Sequence, residues 1–147
     1  MHLTLHFDYA LRTLIFLAAH RGRRVTTQQI SNAYGISKNH LVRVVQSLEK
    51  HGYVKISHGR TGGLELARDP EQIRFGEVLR AIEPSMNLVE CFDRTNNTCP
   101  ITPVCKLKGI LHDAGEAFVG VLDTHTLADI VSADSGKMLR KHLLVDA

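Results

Sequence analysis

Apolar residues recur at helical spacing from the first positions of the chain. Phe7, Ala10, Leu11, Leu14, Leu17 and Ala18 fall three or four apart and predict a first helix, which the RGRR run at 21–24 ends. Thr26 or Thr27 can cap a short second helix over Gln28 to Tyr34, and Gly35 stops it because glycine readily takes the positive φ of a tight interhelical turn. Ser37 caps a third helix. Leu41, Val44, Val45 and Leu48 form its inward stripe, Ile36 precedes the cap as a hydrophobic staple, and Gly52 follows its end. A helix, a short turn and a second helix is an arrangement that can lay the second helix in the major groove of DNA.

The period then changes from helical to alternating. YVKIS and LELA flank the glycine-rich HGRTGG, which predicts a β-hairpin placed directly after the third helix, that is, a wing. Asp69-Pro70 breaks the chain, Ile73 to Ile82 predicts a short amphipathic helix before Pro84, and Pro100 and Pro103 hold the following segment out of helix. After Cys105, Leu107, Ile110, Leu111, Ala114, Phe118, Val121 and Leu122 repeat at three and four residues over a helix of about 25 Å. One subunit offers that stripe little to pack against. Pairing it with a second copy would set two winged heads on half-sites about 34 Å apart, so a homodimer is expected. The fold class is therefore mainly α with a small β-hairpin wing: a winged helix-turn-helix plus a long C-terminal dimerisation helix. The divisions are 1–83 for the winged head, 84–105 for a loop, 106–130 for the dimerisation helix and following segment, and 131–147 for a tail with a frayed helix.

Charge sharpens this picture. Residues 1–68 carry ten Lys and Arg against three acids, whereas residues 69–147 carry eight against twelve. Between Asp8 and Glu49 no carboxylate occurs in 40 positions, where the overall 15 acids in 147 residues predict about four. An acid-free basic stretch suits a surface facing phosphates, while a merely solvated charged face is the plainer explanation. On the outer side of the third helix, Asn39, Arg43, Gln46 and Lys50 share one face, with Ser37, Lys38 and His40 at its N-terminal end. Arg can bond guanine and Asn or Gln adenine in bidentate fashion. Thr27 and Gln28 at the head of the second helix, and His58 and Arg60 at the wing tip, complete the expected contacts to double-stranded operator DNA. Arg60, among glycines, can enter the negative potential of a narrow minor groove.

All three cysteines, Cys91, Cys99 and Cys105, lie in the single stretch CFDRTNNTCPITPVC. No stretch is apolar enough to span a bilayer and the N-terminus has no signal-peptide pattern, so a cytoplasmic protein without membrane attachment is expected. In a reducing compartment an odd number of thiols argues for metal or redox chemistry. Structural zinc favours paired C-x2-C knuckles and four ligands, whereas C-x7-C-x5-C supplies three; iron-sulfur clusters accept thiolates at wider spacings. Cys105 stands at a helix N-terminus, where the dipole favours an anion. An iron-sulfur cluster, a zinc site and buried or redox-active thiols are the three chemistries open here. The scattered histidines form no nucleophile-base pair, and there are no paired carboxylates, so no enzyme is expected.

Together, SKNHLVRVVQSLEKHGYV, HGRTGGLELA, IRFGEVLRAIEP and the three-cysteine loop resemble the iron-sulfur winged-helix regulators, the family that includes IscR-type and NsrR-type proteins. The resemblance covers about residues 1–130. It implies a cluster on Cys91, Cys99 and Cys105, 4Fe-4S in the first instance with 2Fe-2S as the alternative. IscR-type members carry a histidine ligand three residues after the last cysteine, where this chain has Lys108. NsrR-type members are repressors that sense nitric oxide, and in them a first-helix aspartate can ligate the cluster of the other subunit. Asp8 matches that position, and Arg12 stands one turn further on, placed to orient it. The implied function is a repressor that releases operator DNA when its cluster is damaged. Alternatives are an IscR-type redox-responsive regulator, a zinc-braced winged module for a protein partner, and a cluster-carrier or electron-transfer protein, for which the basic stretch would have no use.

Overall fold

A computed structural model of the chain describes residues 3–143. Helix α1 (Leu5–Ala19) begins where the Thr4 hydroxyl accepts the Phe7 amide. Helix α2 (Thr27–Tyr34) is capped by Thr26, in a reciprocal capping box with Gln29, and ends on Gly35 at φ 65°. Ser37 caps α3 (Lys38–Lys50). The inward residues of these helices converge: Leu14, Phe16, Ile30, Leu41 and Leu48 are fully buried. Each such side chain contributes roughly 1.5–3 kcal/mol relative to exposure, which gives the three short helices a stability none has alone.

The expected wing is an antiparallel pair, β1 (Val54–Ser57) and β2 (Gly63–Leu66), with Val54 opposite Leu66 and Ser57 opposite Gly63. Val25 extends it by one residue, since its N–H and C=O both bond the backbone of Leu64, at 3.1 and 2.7 Å. The linker between α1 and α2 is thereby fastened to the base of the wing.

Helix α4 (Phe75–Ile82) starts two residues later than the pattern suggests. Ile73 is extended instead, and its carbonyl accepts the Leu127 amide at 2.9 Å, so the chain beyond the long helix closes onto the start of α4. That long helix, α5 (Lys106–Asp123), runs 18 residues, or about 27 Å, and α6 (Leu127–Ile130) follows it.

Residues 133–143 fall in the expected tail with its frayed helix. They form helix α7 (Ala133–Leu143), docked on α1: Leu139 and Leu143 pack against the core, and the Arg140 guanidinium donates to the Ala19 carbonyl at 2.8 Å. Two leucines four apart were too sparse a stripe to show that this helix docks. Residues 1–2 of the expected winged head and 144–147 of the expected tail lie outside those described. Among the described residues no helix is long and apolar enough to cross a membrane.

Candidate functional site

The reading face is built by the caps and stripes just described. Because Leu41, Val44, Val45 and Leu48 turn inward, Asn39, Arg43, Gln46 and Lys50 are exposed on the opposite side of α3, as are Ser37, Lys38 and His40 at its head. Gln28 is exposed and Thr27 half-buried at the start of α2, and both line one groove with Lys38, Ser57 and His58. His58 and Arg60 are exposed at the wing tip, and of the expected DNA contacts the structure brings Thr27, Gln28, Lys38 and His58 to one groove.

Two supports of this face were not foreseen. Arg24 reaches from the α1–α2 linker to donate to the Thr61 carbonyl at the wing tip, at 2.8 Å. Gly62 is required at the tip, because a Cβ there would collide with the Ser57 carbonyl oxygen. The run RGRR signalled charge, but its bond to a carbonyl 37 positions away has no local signature.

The three cysteines lie on the loop between α4 and α5. All are free and half-buried. Cys91 is in a 3-10 turn (Glu90–Phe92), and Cys105 occupies the cap position of α5 with no side-chain cap bond of its own. The loop holds its shape through local polar contacts. Asp93 accepts from the amide and hydroxyl of Thr95 and from Asn96, which draws its carboxyl down to about 2. Glu90 accepts from the Thr98 hydroxyl at 2.6 Å, and Asn97 donates to the Thr102 hydroxyl at 3.0 Å.

Among the described residues no three of His, Cys, Asp and Glu are gathered as ligands within one chain. The donors nevertheless fit a cluster in kind: three unpaired soft thiols, one at a helix head, and Cys105 lines a cavity of about 620 Å³ with Phe92, Arg94, Lys108 and His112. Lys108 is no metal donor while its ammonium is charged.

Asp8 lies on α1, half-exposed, and Arg12 pairs with it at 2.8 Å. The guanidinium is also held 5.9 Å from the Tyr9 ring and 5.8 Å from the Tyr34 ring, so Asp8 faces an arginine of restricted freedom. Burial pushes the Tyr34 hydroxyl above its usual value, with Arg12 pulling the other way. At the head of α1, Thr4 donates both its amide and its hydroxyl to Glu83 at the end of α4, at 3.1 and 2.9 Å. Helix α1 is therefore anchored at the Asp8 end by α4 and at the far end by α7.

A winged helix-turn-helix with a basic reading face, joined to a cysteine loop and a long apolar-striped helix, defines a DNA-binding transcription regulator and not an enzyme. The chain belongs to the Rrf2 family, described as iron-dependent transcriptional regulator, whose sequence profile matches residues 3–133. The HTH-type transcriptional regulator NsrR of Bacillus subtilis (strain 168) is 51% identical over 132 residues, covering 89% of this chain and 90% of that protein. The protein of the same name from Bacillus licheniformis is 47% identical over 132 residues, covering 89% and 92%. Among solved structures, CymR, the global cysteine regulator of B. subtilis, superposes with a TM-score of 0.72 at 25% identity over 90% of this chain and 97% of that one. IscR of T. potens shares the fold, with a TM-score of 0.72 at 24% identity over 100% and 94%.

Proposed function

We propose that this chain is a homodimeric repressor that senses nitric oxide through an iron-sulfur cluster, 4Fe-4S in type, held by Cys91, Cys99 and Cys105 of one subunit and Asp8 of the partner subunit. The observation that carries the reading is the joining of a DNA-reading head to three free, half-buried thiols on one loop. The similarity to proteins named NsrR supports it.

A bound cluster supplies iron able to take up a small ligand such as nitric oxide. The chain's own residues do the rest. Carboxylate is a harder and weaker donor to such iron than thiolate, so Asp8 marks the most open position. Arg12 holds the Asp8 carboxylate in place. The exposed apolar residues of α5, Leu107, Ile110 and Val121, are each more than half exposed and supply the face for a second copy. With Asp8 drawn from the partner, α1 of one subunit is tied to the cysteine loop of the other, which fixes the spacing of the two heads. Cutting that tie frees the heads to leave operator spacing, and affinity falls.

The test is an anaerobic titration with nitric oxide, following visible absorbance and operator binding together. Both should decline over the same range of added equivalents. Cys99→Ala should lose cluster and operator affinity yet stay folded, and Asp8→Ala should keep a cluster that competing thiols strip faster. Full operator affinity after complete nitrosylation would refute the reading.

A further inference from the structure

Val42 is the exception on the outer face of α3. Its neighbours there, Lys38, Asn39, Arg43 and Gln46, are polar, whereas Val42 is apolar and β-branched and remains 39% exposed. It belongs neither to the inward stripe of Leu41, Val44, Val45 and Leu48 nor to the half-buried residues packed against the core. Val42 therefore stands outside the core and outside the residues packed against it. At the helical period it stands about 60° round the axis from Asn39 and about 40° from Gln46, inside the exposed arc. It follows Lys38 by one turn, and Lys38 lines the groove shared with Ser57 and His58, so Val42 occupies the wing-side border of the reading stripe.

The chemistry of base edges says what such a residue can see. Arg, Asn and Gln recognise donors and acceptors, but the one apolar feature of the major groove is the C5-methyl of thymine. Among base edges, an aliphatic side chain on the reading face gains most by meeting that group. We propose that Val42 is a specificity-determining residue that reads the methyl of one thymine in each half-site, beside the base pair contacted by Arg43 or Gln46. This inference rests on the DNA-binding reading and adds a position that charge and hydrogen bonding leave unread.

The experiment uses the full chain, purified without air, and a duplex it selects from a random pool. Each thymine of one half-site is replaced in turn by deoxyuridine, which deletes only the methyl. For the wild type, one such replacement should weaken binding about three- to fivefold, the scale of one buried methyl. Val42→Ala should bind the thymine and deoxyuridine duplexes within twofold of each other, while retaining the Arg43-dependent base preference. The exposed position leaves folding intact, and the wild-type series stands without the variant. Failure to select any duplex would overturn the DNA-binding reading and the inference with it. A selected duplex whose thymine methyls are all silent, or a Val42→Ala protein with the methyl preference undiminished, would overturn the inference alone.

Discussion

Arg43 and Lys38 stand five residues apart on α3 and are expected to have different tasks. Arg43 projects from the middle of the exposed stripe, where a fork of donors can meet guanine. Lys38 sits at the helix head in the groove toward the wing, where a flexible point charge suits phosphate. Arg43→Ala is expected to cost about 1–3 kcal/mol at the operator and to relax preference at one base pair. Lys38→Ala should weaken all sequences alike and reduce the salt slope by about one. Competition binding against a panel of single-base operator variants, at two salt concentrations, separates the two; a base-specific loss for Lys38→Ala would exchange their roles. Arg12 is different again. Its pair with Asp8 is side-chain exposed by 43% and 41%, so Arg12→Ala should change unfolding free energy by less than about 1 kcal/mol. A larger drop in urea unfolding would show that its place between Tyr9 and Tyr34 is structural.

At the scale of elements, the wing is held from outside its own hairpin, by Val25 through the backbone and by Arg24 through a side chain. Arg24→Ala should leave thermal unfolding nearly unchanged, because the bond is solvent-exposed, and should lower operator affinity by loosening the tip that presents Arg60. Gly62→Ala should lower operator affinity more strongly, through the clash with the Ser57 carbonyl. Wing amide exchange, faster in both variants, is the measurement; unaltered exchange would show that the tip needs neither. The hairpin itself could be read from YVKIS, HGRTGG and LELA, and the three helices from their stripes and from Ser37 and Gly35, because period and cap chemistry are local. The braces could not. Arg24 with Thr61 and Thr4 with Glu83 join positions 37 and 79 apart, and no periodicity marks such pairs. The docking of helix α7 escaped for a related reason: its anchor, Arg140 on the Ala19 carbonyl, crosses 121 positions. Of the candidate site, the donor chemistry of the cysteines was plain in the sequence, whereas their separation within one chain depends on how turns such as Asp93–Asn96 and Asn97–Thr102 fold the loop.

The whole molecule is joined at the end of α5. Arg80 of α4 grips Asp123 with both guanidinium nitrogens, at 2.8 and 2.5 Å, and Asp123 lies so close over Gly76 that a Cβ there would meet the carboxylate. The Arg80 hydrogen bonds hold the Asp123 carboxyl below its usual value. A depressed folded value means that the clamp stabilises fully above the ordinary carboxylate value of about 4 and is lost as pH falls through the folded value beneath it. In Arg80→Gln the Asp123 carboxyl carbon should titrate near that ordinary value; an unmoved midpoint would show that Arg80 is not the cause. At the opposite scale, Ile110→Glu should leave each head folded but shift the species to monomer in analytical ultracentrifugation, with loss of operator binding. A dimer that persists would move the interface away from α5. The cysteine loop contrasts with these joints. The side-chain hydrogen bonds described for residues 85–105 have both partners inside that stretch. The polar framework of the loop is thus self-contained, so a change in its length or thiol spacing breaks no side-chain hydrogen bond to the winged head, and what couples the two is the apolar packing of Met86 on the core.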